Sequence, residues 1–282
     1  MTAQVYDDRN CSLGEGPLWH PEREQLFWFD INNKKLLSRS EGQPLEWVFD
    51  QHVSAAGWIS HDELLIASET EFFVFHLITG ERRHVCDLEA ENPVTRSNDG
   101  RADPWGGFWI GTMGKKAEKG AGAIYRFYRG KLTQLYSDIT ISNSICFSPD
   151  RRFAYYTDTV TRKILRQALD DEGWPAGDPE LFIDLNGDGL NPDGSVVDAE
   201  GCLWSAQWGA SRVARYSPDG VYLFAEIFPA NHTSCPAFGG SDLTRLFVTS
   251  ATEGMVAPST DQGRTYCTEV RAKGQTEHRV IL

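Results

Sequence analysis

Six short apolar strand stems recur along this 282-residue chain, spaced about 45 residues apart. They read Phe27-Trp28-Phe29-Asp30, Leu64-Leu65-Ile66-Ala67, Phe108-Trp109-Ile110-Gly111, Ala154-Tyr155-Tyr156-Thr157-Asp158, Leu203-Trp204-Ser205-Ala206 and Leu246-Phe247-Val248-Thr249. A unit of this size cannot bury its own apolar face, so neighbouring units must stack on one another. Each unit pairs period-2 patterning with Pro-, Asp- or Gly-bearing turns, such as Pro21-Glu22-Arg23-Glu24 and Ser148-Pro149-Asp150-Arg151. Three strands per unit are legible, and a more variable outer strand fits the remainder, for example Lys131-Leu132-Thr133-Gln134-Leu135-Tyr136. Helical periodicity is weak throughout. The pattern predicts an all-β fold: one six-bladed β-propeller domain over residues 1–282, with four-stranded antiparallel blades around a central site.

Upstream of four stems lies an oxygen-bearing side chain: Glu15, Asn98, Asn143 and Asp193. In a closed ring, equivalent places in different blades converge on the axis. Two carboxylates and two amides meeting there make a site for a hard cation. Units two and six carry Ala55-Ala56-Gly57 and Ala237-Phe238-Gly239-Gly240 instead of polar residues.

Composition excludes several classes of function. A formal net charge of −13, with no basic stripe to offset it, argues against a nucleic-acid partner. The first ten residues lack the basic start and apolar core of a secretory signal, and no apolar run is long enough to span a bilayer. The six cysteines, Cys11, Cys86, Cys146, Cys202, Cys235 and Cys267, show no paired spacing and read as reduced, buried thiols of a cytoplasmic protein. Asp184-Leu185-Asn186-Gly187-Asp188-Gly189 imitates the start of an EF-hand loop, but its twelfth position is Ser195, so it reads as a polar loop. No Gly-x-Ser-x-Gly elbow offers a serine nucleophile. Asp30, Asp99, Asp103, Asp158 and Asp198 recur in phase with the blades and read as turn and inter-blade hydrogen-bond acceptors, while His20 and His232 are candidates for the cavity mouth.

At Gly14-Glu15-Gly16-Pro17, Arg96-Ser97-Asn98-Asp99-Gly100, Gly111-Thr112-Met113, Ser142-Asn143 and Asn191-Pro192-Asp193-Gly194-Ser195 the chain resembles the SMP-30/gluconolactonase/regucalcin-like family. The likeness runs from about Glu15 to Ala251, with the motifs in family order. The resemblance implies one divalent ion on the propeller axis, bound by Glu15, Asn143 and Asp193. It implies Asn98 as a polar neighbour of the metal and of substrate, Arg96 as a substrate-binding residue, and lactonase activity on sugar acids. Two departures stand out. Ser97 replaces a proline common in the third-blade motif. Lys116, next to Lys115, stands where animal members carry a substrate-contacting Glu, which points to an extra anionic group on the substrate.

The expected reaction is hydrolysis of an aldono- or aldarolactone by a metal-activated water, with Asp193 as both ligand and proton acceptor. Ca²⁺, Mg²⁺ and Mn²⁺ suit the oxygen donors, and Zn²⁺ and Fe²⁺ are alternatives. The competing readings are an esterase or phosphotriesterase on the same metal and a non-enzymatic calcium-binding propeller. The partner expected is a small sugar lactone, with neither nucleic acid nor membrane.

Overall fold

Each of the six stems is the second strand of a four-stranded antiparallel sheet, counted outward from the axis. The computed structural model describes residues 3–282. A first short strand, β1 (Gln4–Asp7), precedes blade one, which is β2 (Gly14–His20), β3 (Gln25–Asp30), β4 (Lys35–Ser40) and β5 (Gln43–Val48). Blade two is β6 (Val53–Ser60), β7 (Glu63–Ser68), β8 (Glu71–His76) and β9 (Arg82–Asp87). Blade three is β10 (Thr95–Ala102), β11 (Phe108–Gly114), β12 (Gly122–Tyr128) and β13 (Lys131–Ile139). Blade four is β14 (Ser142–Phe147), β15 (Phe153–Asp158), β16 (Lys163–Ala168) and β17 (Glu180–Asp184). Blade five is β18 (Asn191–Val197), β19 (Leu203–Trp208), β20 (Arg212–Tyr216) and β21 (Tyr222–Ile227). Blade six is β22 (Thr233–Gly239), β23 (Arg245–Ser250) and β24 (Thr265–Glu269), completed on its outer edge by β1. The only helix among the described residues is a single 3₁₀ turn at Thr159–Thr161.

The inner strands contact one another in a closed cycle: β2 with β6, β6 with β10, β10 with β14, β14 with β18, β18 with β22 and β22 with β2. Burial follows from this stacking. Both faces of the second strands are covered, so β3 and β11 are buried at every position, whereas the outer β5 exposes Gln43, Pro44, Glu46 and Val48. The apolar stems therefore become inter-blade packing. Trp109 and Trp204 are fully buried, and they meet Phe147 and Phe238 of the next blades edge-on, at 5.5 Å between ring centroids. Proline and charge on β5 also blunt an edge that would otherwise invite pairing with another chain.

The ring is tied at both termini. β1 pairs with β24, setting Gln4 opposite Cys267 and Val5 opposite Tyr266. The segment after β24 then straps the end of the ring where the inner strands finish. The Ala199 amide donates to the Lys273 carbonyl at 2.8 Å, and Gln275 Nε2 donates to the carbonyls of Phe147 and Val197. Trp58 Nε1 donates to the Glu277 carbonyl at 2.8 Å, and the Ile281 amide donates to Gly106. Glu277 also pairs with the partly buried Arg101.

The in-phase aspartates do the structural work expected of them. Asp30 accepts the amides of Ser12 and Leu13, and Asp158 accepts those of Thr140 and Ile141. Asp99 accepts the Ile145 amide of the next blade at 2.7 Å, and Asp103 pairs with the fully buried Arg126. All six cysteines are free thiols; four are buried, while Cys86 on the outermost strand β9 and Cys267 on β24, third from the axis, are only half-buried. The Asp184–Gly189 loop satisfies itself: Asp184 Oδ1 accepts both the backbone amide and Nδ2 of Asn186.

Candidate active site

Every inner strand carries a β-bulge near its start, and the bulges explain how the axial side chains converge. A bulge adds a residue on one strand, bends it and re-aims the side chains beside it. In blades one and four, Glu15 lies opposite Phe29 and Asn143 opposite Thr157, one place before the bulge. In blades three and five, Asn98 and Asp193 lie inside the bulge, after Ser97 and Pro192. The four residues are therefore not in one phase, as the repeat spacing suggested; they alternate between two adjacent positions. The residue following Glu15, Gly16, takes a left-handed φ of 53°, and a Cβ added there would meet the Ser54 carbonyl oxygen at 2.2 Å. Its counterpart after Asn143 is Ser144, also left-handed at φ 60°. Ser144 Oγ donates to the Asp193 carbonyl at 2.6 Å, tying the two blades together beside the site.

Glu15, Asn98, Asn143 and Asp193 line one cavity of about 340 Å³ at the end of the ring where the inner strands begin. Arg96, Lys115 and Lys116 line the same cavity, so the residues expected from sequence to hold a metal or contact substrate are gathered there. Ile141, Thr159, Trp208 and Glu253 also line it and were not singled out beforehand, and Met113, quoted above only within the Gly111-Thr112-Met113 motif, joins them. His20 is not among the lining residues: it is fully buried between blades one and two and bonds the Ser60 carbonyl. His232 reaches the cavity only indirectly, through a parallel stack on Trp208.

The amides form an ordered chain. Arg96 Nη1 donates to Asn98 Oδ1 at 2.7 Å and to the Ser97 carbonyl. Asn98 Nδ2 donates to the Ser142 carbonyl at 2.8 Å and to Asn143 Oδ1 at 3.1 Å. Asn143 Nδ2 donates to Thr159 Oγ1 at 3.0 Å. Asn143 thus spends its amide nitrogen on Thr159, and its oxygen keeps a lone pair for a further partner.

The carboxylates are in a different position. Glu15 and Asp193 are each 5% exposed, and neither forms an ion pair among the described residues. Glu15 is pushed up to about 8 by burial and by the charge of Asp99. Burial also drives Asp193 well above the usual carboxylate range, with Glu15 and Asp99 adding repulsion. Asp99 itself is raised to about 6 by burial. Three buried acids crowd the axis, an arrangement that a bound cation relieves.

The loop lysines differ from each other. Lys115 Nζ is held by Glu69 Oε1 at 2.8 Å and by the Pro93 carbonyl. The Lys116 ammonium has no hydrogen-bond or ion-pair partner among the described residues, and its backbone amide donates to Glu118. A second acidic group, Asp198, Glu200 and Cys202, lies elsewhere in blade five. Its oxygens are taken up by Arg215, Trp204 and backbone amides, so it offers no open donor set.

Residues 13–252 match the model of the family described as SMP-30/Gluconolactonase/LRE-like region. The chain belongs to this family. Among its relatives, the 6-deoxy-6-sulfogluconolactonase of Pseudomonas putida is 35% identical over 87% of this chain and 85% of its own length. The L-arabinolactonase of Azospirillum brasilense is 34% identical over 98% of this chain and 95% of its own. Among solved structures, a calcium-binding protein, regucalcin, from Agrobacterium tumefaciens superposes with a TM-score of 0.97 at 40% identity, covering 100% of this chain and 98% of that one. Family membership accounts for the ring and for the motifs that meet on its axis.

Proposed function

We propose that this chain hydrolyses sugar-acid lactones at a single divalent-metal site. The observation that carries the reading is the convergence of two buried carboxylates lacking an ion-pair partner, Glu15 and Asp193, with the amide oxygen of Asn143 on an open cavity. Three oxygen donors, two of them anionic, suit a hard dication such as Ca²⁺, Mg²⁺ or Mn²⁺, and Zn²⁺ or Fe²⁺ also accept such ligands. Glu15, Asn143 and Asp193 would hold the ion. When bound, it supplies Lewis acidity, polarising a carbonyl and lowering the pKa of water. The relative named as a calcium-binding protein supports a divalent ion here.

The remaining chemistry belongs to the side chains. Water adds to the lactone carbonyl carbon and gives up a proton to Asp193. The bond from that carbon to the ring oxygen breaks, the departing oxygen takes a proton, and an open hydroxy acid results. Arg96 spends one guanidinium nitrogen on Asn98 and Ser97, which fixes its plane and leaves its other N–H groups for substrate oxygens. The partnerless ammonium of Lys116 favours a lactone with a second negative group, and the relative whose name specifies a sulfogluconolactone supports that preference. Free thiols on blade strands suit a reducing, cytosolic setting.

A lactone screen on metal-stripped and reloaded protein tests the reading. One divalent ion per chain should restore hydrolysis of sugar lactones, and Asp193→Ala should lose both ion and activity. Full activity after stripping overturns the metal site. A loaded protein that opens no sugar lactone overturns the substrate class.

A further inference from the structure

The last position of the second strand has a repeated structural job in this ring. Asp30, which faces Gly14, caps the amides of Ser12 and Leu13. Asp158, which faces Ser142, caps those of Thr140 and Ile141. Just past the end of β7, Glu69 does the same for His52. Blades three, five and six break the rule. The register equivalents are Met113, facing Arg96, Trp208, facing Asn191, and in blade six Ala251, one place past the Ser250–Thr233 pair. Met113 and Trp208 line the cavity, whereas Ala251 does not. Two of the three exceptions therefore stand on the wall of the site, where a large side chain takes the place of a capping carboxylate.

Trp208 is the more informative of the two. It is half-buried, one strand position beyond Gln207, whose cross-strand partner Pro192 immediately precedes Asp193. The His232 ring stacks on the indole at 4.2 Å between centroids and 20° between planes. His232 does not itself line the cavity, so the surface that Trp208 gives to the cavity is one the imidazole leaves uncovered. Indole is large, rigid and apolar, and held from behind it loses little freedom when a ligand settles on it. The polar groups of the wall, Arg96, Asn98 and Lys116, serve hydroxyl and anionic groups, whereas a sugar ring also carries a face of C–H bonds that none of them matches.

We propose that Trp208, backed by His232, is a specificity-determining platform that takes the C–H face of the sugar-lactone ring and presents its carbonyl to the Glu15–Asn143–Asp193 end of the cavity. The assignment rests on the lactonase reading above. Its test uses the metal-loaded full chain with one sugar lactone that the wild type opens and with γ-butyrolactone, which carries no sugar substituents. Trp208→Ala should raise KM for the sugar lactone about tenfold or more, leave kcat within about threefold, and change KM for γ-butyrolactone by less than about twofold. Trp208→Phe should recover most of the loss. Quenching of tryptophan emission by the aldonate product gives a readout independent of turnover, and Trp208→Phe should lose most of the quench. An unchanged KM for the sugar lactone in Trp208→Ala overturns the platform, as does an equal loss on both lactones. Should Trp208→Ala fail to fold, undiminished quenching in Trp208→Phe overturns it. If the wild type opens no sugar lactone, the lactonase reading falls separately, and the aldonate quench still decides whether Trp208 meets a sugar ring.

Discussion

Asn98 Nδ2 donates to Asn143 Oδ1 across 3.1 Å, joining blade three to blade four at the floor of the cavity. The same Asn143 donates its own amide nitrogen to Thr159 Oγ1, and Thr159 passes its hydroxyl hydrogen to the Pro192 carbonyl at 2.8 Å. One chain of hydrogen bonds therefore runs from Arg96 through Asn98, Asn143 and Thr159 to the residue before Asp193. It sets which atom of Asn143 faces the axis.

If Asn143 holds the ion as proposed, that chain makes Thr159 a determinant of metal affinity without being a ligand. Thr159→Val keeps the shape and removes the acceptor, so the Asn143 amide is no longer held in one orientation. Partners of this kind typically contribute about 10–100-fold to metal affinity. We expect calorimetric titration of the stripped variant to show at least about tenfold weaker binding, with secondary structure unchanged by circular dichroism. Wild-type affinity would show that the Asn143 orientation is set elsewhere.

The crowded carboxylates predict an unusual pH profile for the metal-stripped protein. Glu15 is raised from 4.5 to about 8, chiefly by burial, so its neutral form is the one compatible with the fold. The unfolded chain releases this proton near 4.5 and the folded chain only near 8. Stability from this group is therefore fully present below pH 4.5 and is lost as pH rises toward 8. Tm of stripped wild type should fall across that interval, Glu15→Gln should flatten the fall, and saturating divalent ion should abolish it. A Tm that instead rises over the same range in stripped protein counts against an uncompensated Glu15.

The two loop lysines predict a division of labour. Lys115 is tied to Glu69 and the Pro93 carbonyl, while the Lys116 side chain has no such tie. A charge-assisted contact to an anionic substituent is worth about 1.5–3 kcal/mol, or one to two decades in kcat/KM. Lys116→Ala should lower kcat/KM for aldarolactones or sulfonated lactones by about tenfold and leave neutral aldonolactones within about twofold. Equal effects on neutral and anionic substrates would remove Lys116 from the selectivity argument.

The ring was legible in the sequence because each blade repeats a stem whose apolar residues end buried on both faces, as in Phe27-Trp28-Phe29 and Leu203-Trp204. The axial residues were legible because Glu15, Asn143 and Asp193 recur before those stems. Their one-residue offset was not, since it depends on bulges that change which side chain turns inward, and no pattern of polarity marks a bulge. β1 was missed because Gln4–Asp7 has no stem of its own and acquires its place only by pairing with β24, far away in sequence. Trp208 was missed because a tryptophan at the end of an apolar stem reads as core, and only its register against Asp30 and Asp158 shows the exception.

The C-terminal strap was also silent in the sequence, and it supports the last prediction. Arg101 lies partly buried beneath the axis on β10, and its ion-pair partner among the described residues is Glu277 of the strap. Trp58 Nε1 holds the Glu277 carbonyl at 2.8 Å, so the carboxylate is delivered to Arg101 by a segment fixed on both sides. Removing one member of a fully buried pair typically costs about 3–5 kcal/mol, and that figure is the upper bound for this partly buried one. Glu277→Gln should therefore lower unfolding free energy by up to several kcal/mol in denaturant titrations. Arg101→Met together with Glu277→Leu, which removes both charges and keeps the volume, should recover much of that loss. Because the pair lies at the far end of the axis from the Glu15 cavity, metal stoichiometry should remain one per chain in both variants. A single Glu277→Gln variant as stable as wild type would show that the strap is held by its backbone hydrogen bonds alone.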